Sequence, residues 1–379
     1  MKVLGINGWS ERGHDGGASL IVDGKLLFSV EEEKLICKRH AYDTLPLESI
    51  KACLNYGNIT MDDIDKVVIG WDYEKLYEML GKKFISKEEM SKALFNDEKY
   101  ADKIEYLTHH QAHAYSAFIP SNYDKALVLI VDGQGEYMGT SVYLADRNSK
   151  NLKLLMETPV SLGYFYTGIT KQIGFKGGEE GKTMGLASYG EPTYVEELRK
   201  LINLDENGNI NCAFHIDKVG KDEEKASLEK WKELLSNIIP KRNGKIIEVT
   251  EDILPYANLA KSSQVILEEI MCGLIKKYVK ETGVHDVCIA GGVGLNCPTS
   301  SAVENMDEVS RVFVQPAAND GGISLGAAIK GAIDLGDDVK IEMIPYLGPE
   351  YSNKEIEKAL KEKDYNYDEF DNIEEVIAR

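Results

Sequence analysis

The chain has 379 residues, long enough to bury a large core and to form more than one structural lobe. Its 63 Asp and Glu outnumber its 44 Lys and Arg, and the resulting net charge of −19 disfavours extended binding to nucleic acids or to anionic membranes. Six scattered cysteines without a CxxC motif, no signal-peptide-like segment and no apolar run of membrane-spanning length predict a cytoplasmic protein with free thiols.

Strand-forming, Gly-rich and hairpin-forming segments follow one another twice. The first series is "KVLGING", the loop "WSERGHDGG" and "ASLIVDGKLLFSVEEE", in which Asp23-Gly24 between two apolar runs predicts a hairpin. The second series is "KALVLIVDG", "QGEYMG" and "TSVYLADRNSKNLKLLMETP". The repeated order predicts a duplicated α/β lobe with a cleft between the halves. Coincidence stays open as the alternative, because strand–turn–strand units are common.

Helical segments follow each hairpin. "LPLESIKACLNYG" and "LAKSSQVILEEIMCGLIKKYVKETG" are expected to be helices, and the second has apolar positions at three-to-four spacing and a Gly stop. It leads into "HDVCIAGGVGLNCP", a predicted buried strand that breaks into a Gly-rich turn. Residues 195–255 are polar with several turn signals, which predicts an inserted subdomain. From "YLGPEYSNKEIEKALKEK" onward the chain is acidic and is expected to be helical.

The stretch "LTHHQAHAYSAF" concentrates ionisable chemistry. In a helix, His109 and His113 share one face, one turn apart. Asp132 ends the next strand, and Asp320 lies in "PAANDGGISLGAA", where a Gly-rich turn opens a helix. Two imidazoles and a carboxylate suit Fe²⁺, Mn²⁺ or Zn²⁺ in a site with open positions. The alternative is a packed or hydrogen-bonded histidine pair.

Three Gly-rich loops favour a bound nucleotide. "KGGEEGKT" fails as a P-loop because Lys176 stands where Gly is required, and "GGVGLN" misses GxGxxG because Cys297 takes the last position. Backbone N–H groups at such turns can still cradle a phosphate. The candidate loops are "DGQGE", "EGKTMG" and "AGGVGLN", and each of them taken singly is also compatible with an ordinary turn.

His14 and Asp15 lie on the first Gly-rich loop. A histidine at the mouth of a sheet can act as a general base near neutral pH, particularly when a carboxylate orients it. A surface histidine without chemistry is the alternative. In "CKRH" (37–40), Lys38 and Arg39 are available to a phosphate or carbonyl oxygen, with a solvated basic patch as the alternative.

Five motifs, taken together and in order, resemble the O-carbamoyltransferases of antibiotic and nodulation-factor biosynthesis. They are "LGINGWSERGHDGGASLIVDG", "EEEKLICKRHAYDTLP", "HHQAHAYSAF", "EGKTMGLASYG" and "GGVGLN…PAANDGGISLGAA", and they cover about residues 1–350. The resemblance implies a duplicated ASKHA fold, which is the two-lobed α/β fold of actin and the sugar kinases. It also implies a relation to the metal-binding subunit of tRNA threonylcarbamoyladenosine synthase.

The resemblance implies roles for individual residues. His109, His113 and Asp320 match the family's metal ligands, with Fe²⁺ as the expected ion and Mn²⁺ or Zn²⁺ as alternatives. His14 matches the residue proposed to deprotonate the acceptor hydroxyl. Arg39 stands where some relatives carry Lys, so phosphate attraction is expected to persist with changed geometry. The expected contacts to the nucleotide, ATP or carbamoyl-adenylate, are Asp132, Gly133, Gly135, Glu136, Gly181, Lys182, Gly291, Gly292, Asn296 and Arg39.

The resemblance predicts transfer of a carbamoyl group from carbamoyl-adenylate to a hydroxyl of a small natural product, with AMP as the leaving group. Residues 1–345 are the expected transferase domain, with lobe 1 at about 1–125, lobe 2 at about 126–345 and an insertion at about 195–255. Family members continue into a YrdC-like domain that makes the adenylate from carbamoyl phosphate and ATP, and residues 346–379 resemble its beginning.

No "FGPRALG"-type segment follows, so the chain is expected to be truncated, split or degenerate and to need a YrdC-like domain in trans. Two other functions remain open. One is a threonylcarbamoyl transferase acting on tRNA, which the acidic surface disfavours. The other is a non-catalytic nucleotide-binding subunit. Relatives make a homodimer an expected state.

Overall fold

The computed structural model describes residues 1–8, 14–216, 221–244, 246–342 and 347–379. Residues 9–13 of the first Gly-rich loop thus lie outside the described residues. The chain divides into two compact units, Met1–Pro345 and Tyr346–Arg379. The second unit contains two helices without a buried residue. The expectation that residues 346–379 begin a YrdC-like domain stays a prediction.

The strands of the described ranges form two large sheets and one small sheet. In chain order they are β1 (Lys2–Asn7), β2 (Gly17–Val22), β3 (Lys25–Glu31), β4 (Lys66–Ile69), β5 (Ile104–Tyr106), β6 (Lys125–Val131), β7 (Thr140–Asp146), β8 (Asn151–Thr158), β9 (Ile202–Leu204), β10 (Ile210–Cys212), β11 (Asp286–Ala290) and β12 (Arg311–Val314).

The two five-stranded sheets share one topology. The first has the order β3-β2-β1-β4-β5 and the second β8-β7-β6-β11-β12, while β9 and β10 form the small sheet. The strand β1 pairs antiparallel with β2 and parallel with β4, and β6 pairs in the same way with β7 and β11. The predicted duplication is therefore confirmed, and the repeated order is that of the ASKHA fold. The predicted hairpin is also present, because Asp23 and Gly24 both have positive φ (49° and 76°), as a primed turn requires.

The α-helices surround these sheets, and no helix among the described residues is both long and apolar enough to cross a membrane. In chain order they are α1 (Glu32–Ile36), α2 (Leu47–Gly57), α3 (Tyr73–Met79), α4 (Lys87–Phe95), α5 (His109–Ser121), α6 (Leu162–Ile173), α7 (Glu180–Ala187), α8 (Val195–Arg199), α9 (Lys221–Ser236), α10 (Leu254–Thr282), α11 (Cys297–Glu304), α12 (Ile323–Asp334), α13 (Asn353–Glu362) and α14 (Ile373–Ala378).

Two helices cross between the halves of the first unit. The helix α5 precedes the second sheet in the chain yet packs on its strands β6 and β11, whereas α12 follows that sheet and packs on β1 and β4 of the first. The two helices also pack on each other, so closely that a Cβ at Gly326 would lie 1.8 Å from the carbonyl oxygen of Ala112. Small residues at this crossing therefore allow the backbones of the two helices to approach closely. The lobe boundary near residue 125 stays a prediction.

The chemistry-bearing residues lie where strands end and helices begin. Asn7 ends β1, Asp132 follows β6, and Gly291 follows β11. His109 begins α5, and Asp320 lies in the short turn before α12. Ligand sites of α/β sheets form at the carboxyl ends of the strands, where the N-termini of helices also point.

Candidate metal centre and its surroundings

The helix α5 begins at His109 because a buried carboxylate binds its first N–H group. The residue before it, Thr108, has extended backbone but makes no side-chain capping bond. The backbone N–H of His109 instead donates to Glu136 Oε1 at 2.9 Å, and that of Asp72 donates to the same oxygen at 2.8 Å. Burial raises the pKa of Glu136. This carboxylate thus has a structural use, and its predicted nucleotide contact stays a prediction.

Four buried side chains from three segments converge at this point. His109 and His113 lie one turn apart on α5, with perpendicular rings whose centroids are 4.7 Å apart. His109 Nε2 is 3.1 Å from Asp132 Oδ2 and 3.4 Å from Asp320 Oδ1. His113 Nε2 is 3.3 Å and 3.6 Å from the same two oxygens. The structure therefore brings the three predicted metal ligands together and adds Asp132 to them.

The spacing of these ligand atoms fits a divalent cation. Bonds of about 2.1 Å place neighbouring donors about 3.0 Å apart in an octahedral site and about 3.4 Å apart in a tetrahedral one. The four nitrogen–oxygen separations of 3.1, 3.3, 3.4 and 3.6 Å cover this range. His113 Nε2 is moreover buried without a hydrogen-bond partner, which suits a nitrogen that coordinates an ion.

The two carboxylates of this buried cluster attract positive charge. Desolvation lowers the pKa of His109, but the carboxylates of Asp320 and Asp132 outweigh it and raise that pKa to about 10. Desolvation raises the pKa of Asp132 and of Asp320, yet the neighbouring imidazoles hold both below the ordinary value. Two buried carboxylates that face the same nitrogens require a cation between them, which is a proton or a metal ion.

Backbone N–H groups from two loops hold the orientation of Asp132. Its Oδ1 accepts the N–H of Gly133 at 2.7 Å and the N–H of Gly292 at 3.1 Å, which leaves Oδ2 for the histidines. Gly291 has φ +91°, and a Cβ there would lie 2.3 Å from the carbonyl oxygen of Val131. Only glycine therefore fits between the ends of β6 and β11 at this position.

His14 lies beside the cluster and is accessible. Its side chain is 46% exposed, and Nδ1 is 3.1 Å from Asp15 Oδ2 and 3.8 Å from Asp320 Oδ2. Desolvation lowers the pKa of His14, but the charge of Asp320 and the hydrogen bond that His14 donates to Asp15 raise it to about 9. The predicted base is thus near the metal ligands, oriented by a carboxylate as the sequence suggested.

The two predicted cationic contacts lie on or against the segment around the start of α7. Arg39 Nη2 donates to the carbonyl oxygen of Gly178 at 3.2 Å. Lys182 Nζ forms an ion pair with Glu179 Oε1 at 2.6 Å, and the space at Gly181 is open. Arg39 and Lys182 are therefore near one loop, and their nucleotide contacts stay predictions.

Asn296 and Gly135 have structural uses of their own. The Asn296 side chain begins α11 by accepting the N–H of Thr299 at 3.1 Å, and it exchanges two hydrogen bonds of 2.9 Å with Gln264. A Cβ at Gly135 would lie 3.1 Å from the His110 ring, so glycine there leaves room for this buried histidine. Neither observation tests the predicted nucleotide contacts.

Sequence reasoning missed several residues of the site. Asn7 donates from Nδ2 to the carbonyl oxygens of Asp15 and Asp320, both at 2.9 Å, and thus joins the loops of the base and the metal ligand. Trp71 Nε1 donates to Asn7 Oδ1 at 3.1 Å, and its ring packs on His109 with centroids 4.0 Å apart. The available signals were the Asn-Gly that ends β1 and the Trp-Asp that follows β4.

Comparisons with known proteins show the family of this chain. Residues 2–329 match the family model described as Carbamoyltransferase N-terminus. Nodulation protein NolNO of Sinorhizobium fredii is 31% identical over 366 residues, which are 92% of this chain and 51% of that protein. An uncharacterized protein of Synechocystis is 31% identical over 396 residues, which are 95% of this chain and 62% of that protein.

The chain thus spans about half to three-fifths of the length of these curated relatives. Among solved structures, HypF of T. kodakarensis aligns with 15% identity and a TM-score of 0.47, covering 88% of this chain and 48% of that one.

Proposed function

The chain belongs to the carbamoyltransferase family through its N-terminal domain, and on this premise we propose that it transfers a carbamoyl group from carbamoyl-adenylate to a hydroxyl group of a small-molecule acceptor. The observation that carries the proposal is the buried cluster of His109, His113, Asp132 and Asp320 with the accessible His14 beside it. The cluster and the base all lie within the residues that match the family.

The reaction replaces one carbon–oxygen bond by another. The acceptor oxygen bonds to the carbamoyl carbon, the bond from that carbon to the phosphate oxygen of the adenylate breaks, and AMP leaves. The proton of the acceptor hydroxyl passes to His14 Nε2, because His14 Nδ1 is engaged with Asp15. In the metal-free fold the neighbouring carboxylates raise the pKa of His14 to about 9 and keep the ring protonated at neutral pH, so this role requires a cation in the cluster that offsets the charge of Asp320. A positioned general base contributes a factor of about 10²–10⁴ to the rate.

His109, His113, Asp132 and Asp320 would hold a divalent ion, with Fe²⁺ as the expected ion and Mn²⁺ or Zn²⁺ as alternatives. When bound, such an ion supplies positive charge opposite the phosphate and carbamoyl oxygens. We further propose that Arg39 and Lys182 attract the phosphate and that the loops with Gly133, Gly181 and Gly291 border the nucleotide.

Synthesis of the adenylate is proposed for a YrdC-like partner domain, so the test supplies the donor separately. The chain is incubated with carbamoyl-adenylate and a panel of hydroxylated small molecules, and AMP and carbamoylated products are measured. We expect product with the wild type and none with His109→Ala, whereas His285→Ala, which removes a histidine bonded to a surface carbonyl, retains activity.

Two outcomes would contradict the proposal. Full activity of His109→Ala would remove the role of the cluster. Nucleotide binding without turnover for any acceptor would favour a nucleotide-binding subunit. A parallel titration with tRNA, for which we expect no binding, separates a threonylcarbamoyl transferase from the proposed enzyme.

A further inference from the structure

Unusual backbone conformations concentrate beside His14. Five non-glycine residues with positive φ lie in the loop of His14 or in the segment that faces this loop. They are Asp15 (51°), Cys37 (54°), His40 (59°), Ala41 (43°) and Asp43 (51°). L residues rarely adopt this region, and such residues persist only where surrounding contacts over-determine them. The two segments are joined directly, because the N–H of Asp15 donates to the carbonyl oxygen of His40 at 2.7 Å.

The Asp15 carboxylate lies between two imidazoles. Its Oδ2 is 3.1 Å from His14 Nδ1, and its Oδ1 is 2.7 Å from His40 Nδ1. Asn319 Nδ2 also donates to Oδ2, at 3.3 Å, and Asp15 is only 5% exposed. An ionised carboxylate accepts hydrogen bonds and donates none, so both Nδ1 atoms carry hydrogen. In the neutral ring of His14 the free lone pair is then on Nε2.

A hydrogen bond from the backbone N–H of His40 holds this residue in place. Its N–H donates to Glu33 Oε2 at 2.6 Å, and its ring packs near Tyr42 with centroids 5.4 Å apart. Of its two ring nitrogens, Nδ1 is directed at Asp15, and the buried Nε2 has no hydrogen-bond partner. The ring is therefore oriented for one interaction, which is the bond to the Asp15 carboxylate.

We propose that His40 is a positioning residue, which holds the Asp15 carboxylate so that Asp15 keeps His14 protonated on Nδ1 with Nε2 facing the acceptor hydroxyl. This inference rests on the proposed function, in which His14 Nε2 receives the proton. His40 contacts neither substrate nor the reacting atoms; it acts through Asp15.

The test compares His40→Ala with His40→Asn, because the Asn amide nitrogen can replace Nδ1–H as a donor to Asp15. His285→Ala is the matched control for loss of an unrelated histidine. With ¹⁵N-labelled histidine in the Zn²⁺-loaded chain, at a pH at which the His14 ring is neutral, we expect the His14 signals to show the Nδ1–H tautomer in the wild type, in His40→Asn and in His285→Ala. We expect mixed tautomers in His40→Ala.

In the transfer assay we expect His40→Ala to lower kcat about 10- to 100-fold, a part of the factor a base supplies, with KM and metal content unchanged. His40→Asn should recover kcat to within about 3-fold of the wild type. A structural role alone would lower the folded fraction of His40→Ala and leave the kcat and the tautomer of the folded part unchanged.

Several results would overturn the proposal. They are an Nε2–H tautomer of His14 in the wild type, an unchanged tautomer in His40→Ala, or wild-type kcat in that variant. Loss of a second equivalent of Zn²⁺ in His40→Ala would instead make Asp15, Glu33 and His40 a metal site, whose ligand atoms lie within 4.8 Å of one another. If His40→Ala does not fold, the wild-type and His40→Asn spectra still decide the tautomer. If no transfer occurs at all, the proposed function fails, while the tautomers still test the positioning role.

Discussion

Replacing Asp132 by Asn tests the metal centre with little change in shape. The Asn oxygen can still accept the N–H groups of Gly133 and Gly292, at the present distances of 2.7 Å and 3.1 Å. The amide nitrogen then replaces Oδ2, which is 3.1 Å from His109 Nε2 and 3.3 Å from His113 Nε2. An amide N–H₂ group carries no charge and is no ligand for a cation, so one of the four ligands is lost.

The size of the effect follows from the charge that Asp132 supplies. In the metal-free fold, Asp132 Oδ2 and a protonated His109 Nε2, 3.1 Å apart, attract by about 5 kcal/mol at an effective dielectric constant of 20, before desolvation is subtracted, and a bound divalent ion replaces this proton as the partner of the carboxylate. Substituting partners outside the ligand shell already costs 10–100-fold in metal affinity, so loss of a ligand should cost at least about 100-fold, or about 2.7 kcal/mol.

The assay is metal content after dialysis together with titration of Zn²⁺ and Mn²⁺ against a competing chelator. The control is Asp338→Asn, which removes an exposed carboxylate paired with Lys340 and should bind metal as the wild type does. An affinity of Asp132→Asn equal to that of the wild type, or an equal loss in the control, would refute the assignment of Asp132 as a ligand.

Three further predictions follow from the structure. The pKa of His109 is raised from 6.5 to about 10 in the metal-free fold, so the contribution of His109 to stability is full below pH 6.5 and is lost as the pH rises towards 10. Urea unfolding at pH 6.5 and 9.5 should show this loss of stability, and His109→Ala should abolish the difference between the two pH values. His14→Ala should lower kcat about 10²–10⁴-fold and leave metal content unchanged, and an unaltered kcat would exclude it as the base. Gly326→Ala, whose Cβ would lie 1.8 Å from the carbonyl oxygen of Ala112, should reduce the free energy of unfolding by about 3 kcal/mol. Gly181→Ala, which adds a Cβ in open space, should change it by less than about 1 kcal/mol, and similar melting temperatures for the two variants would contradict the close helix contact.

Much of the fold and part of the site could be predicted from the sequence. The repeated strand–loop–hairpin order predicted the duplication because each half has its own apolar strands and turn residues. The spacing of His109 and His113 placed both on one helix face without further information. The meeting of Asp320 with these histidines came from the family resemblance, since no local pattern reports a contact so far apart in the chain.

The remaining features depend on how loops meet. Asn7 and Glu136 act on backbone groups of other segments, and His40 reaches Asp15 only through a loop with positive φ angles. Such contacts have no periodicity in the sequence. Their residue types were visible, in the Asn-Gly after β1 and the His of "CKRH", but the partners of these residues were not.

The crossing of α5 and α12 explains why the cluster joins the two halves of the first unit. His109 and His113 belong to a helix that packs on the second sheet, and Asp132 directly follows the strand β6 of that sheet. Asp320 precedes the helix that packs on the first sheet. An ion that binds all four side chains therefore requires the helices to be packed. Since a ligand that binds only the native state stabilises it by RT ln(1 + [L]/Kd), metal affinity and the packing at Gly326 and Ala112 are linked quantities.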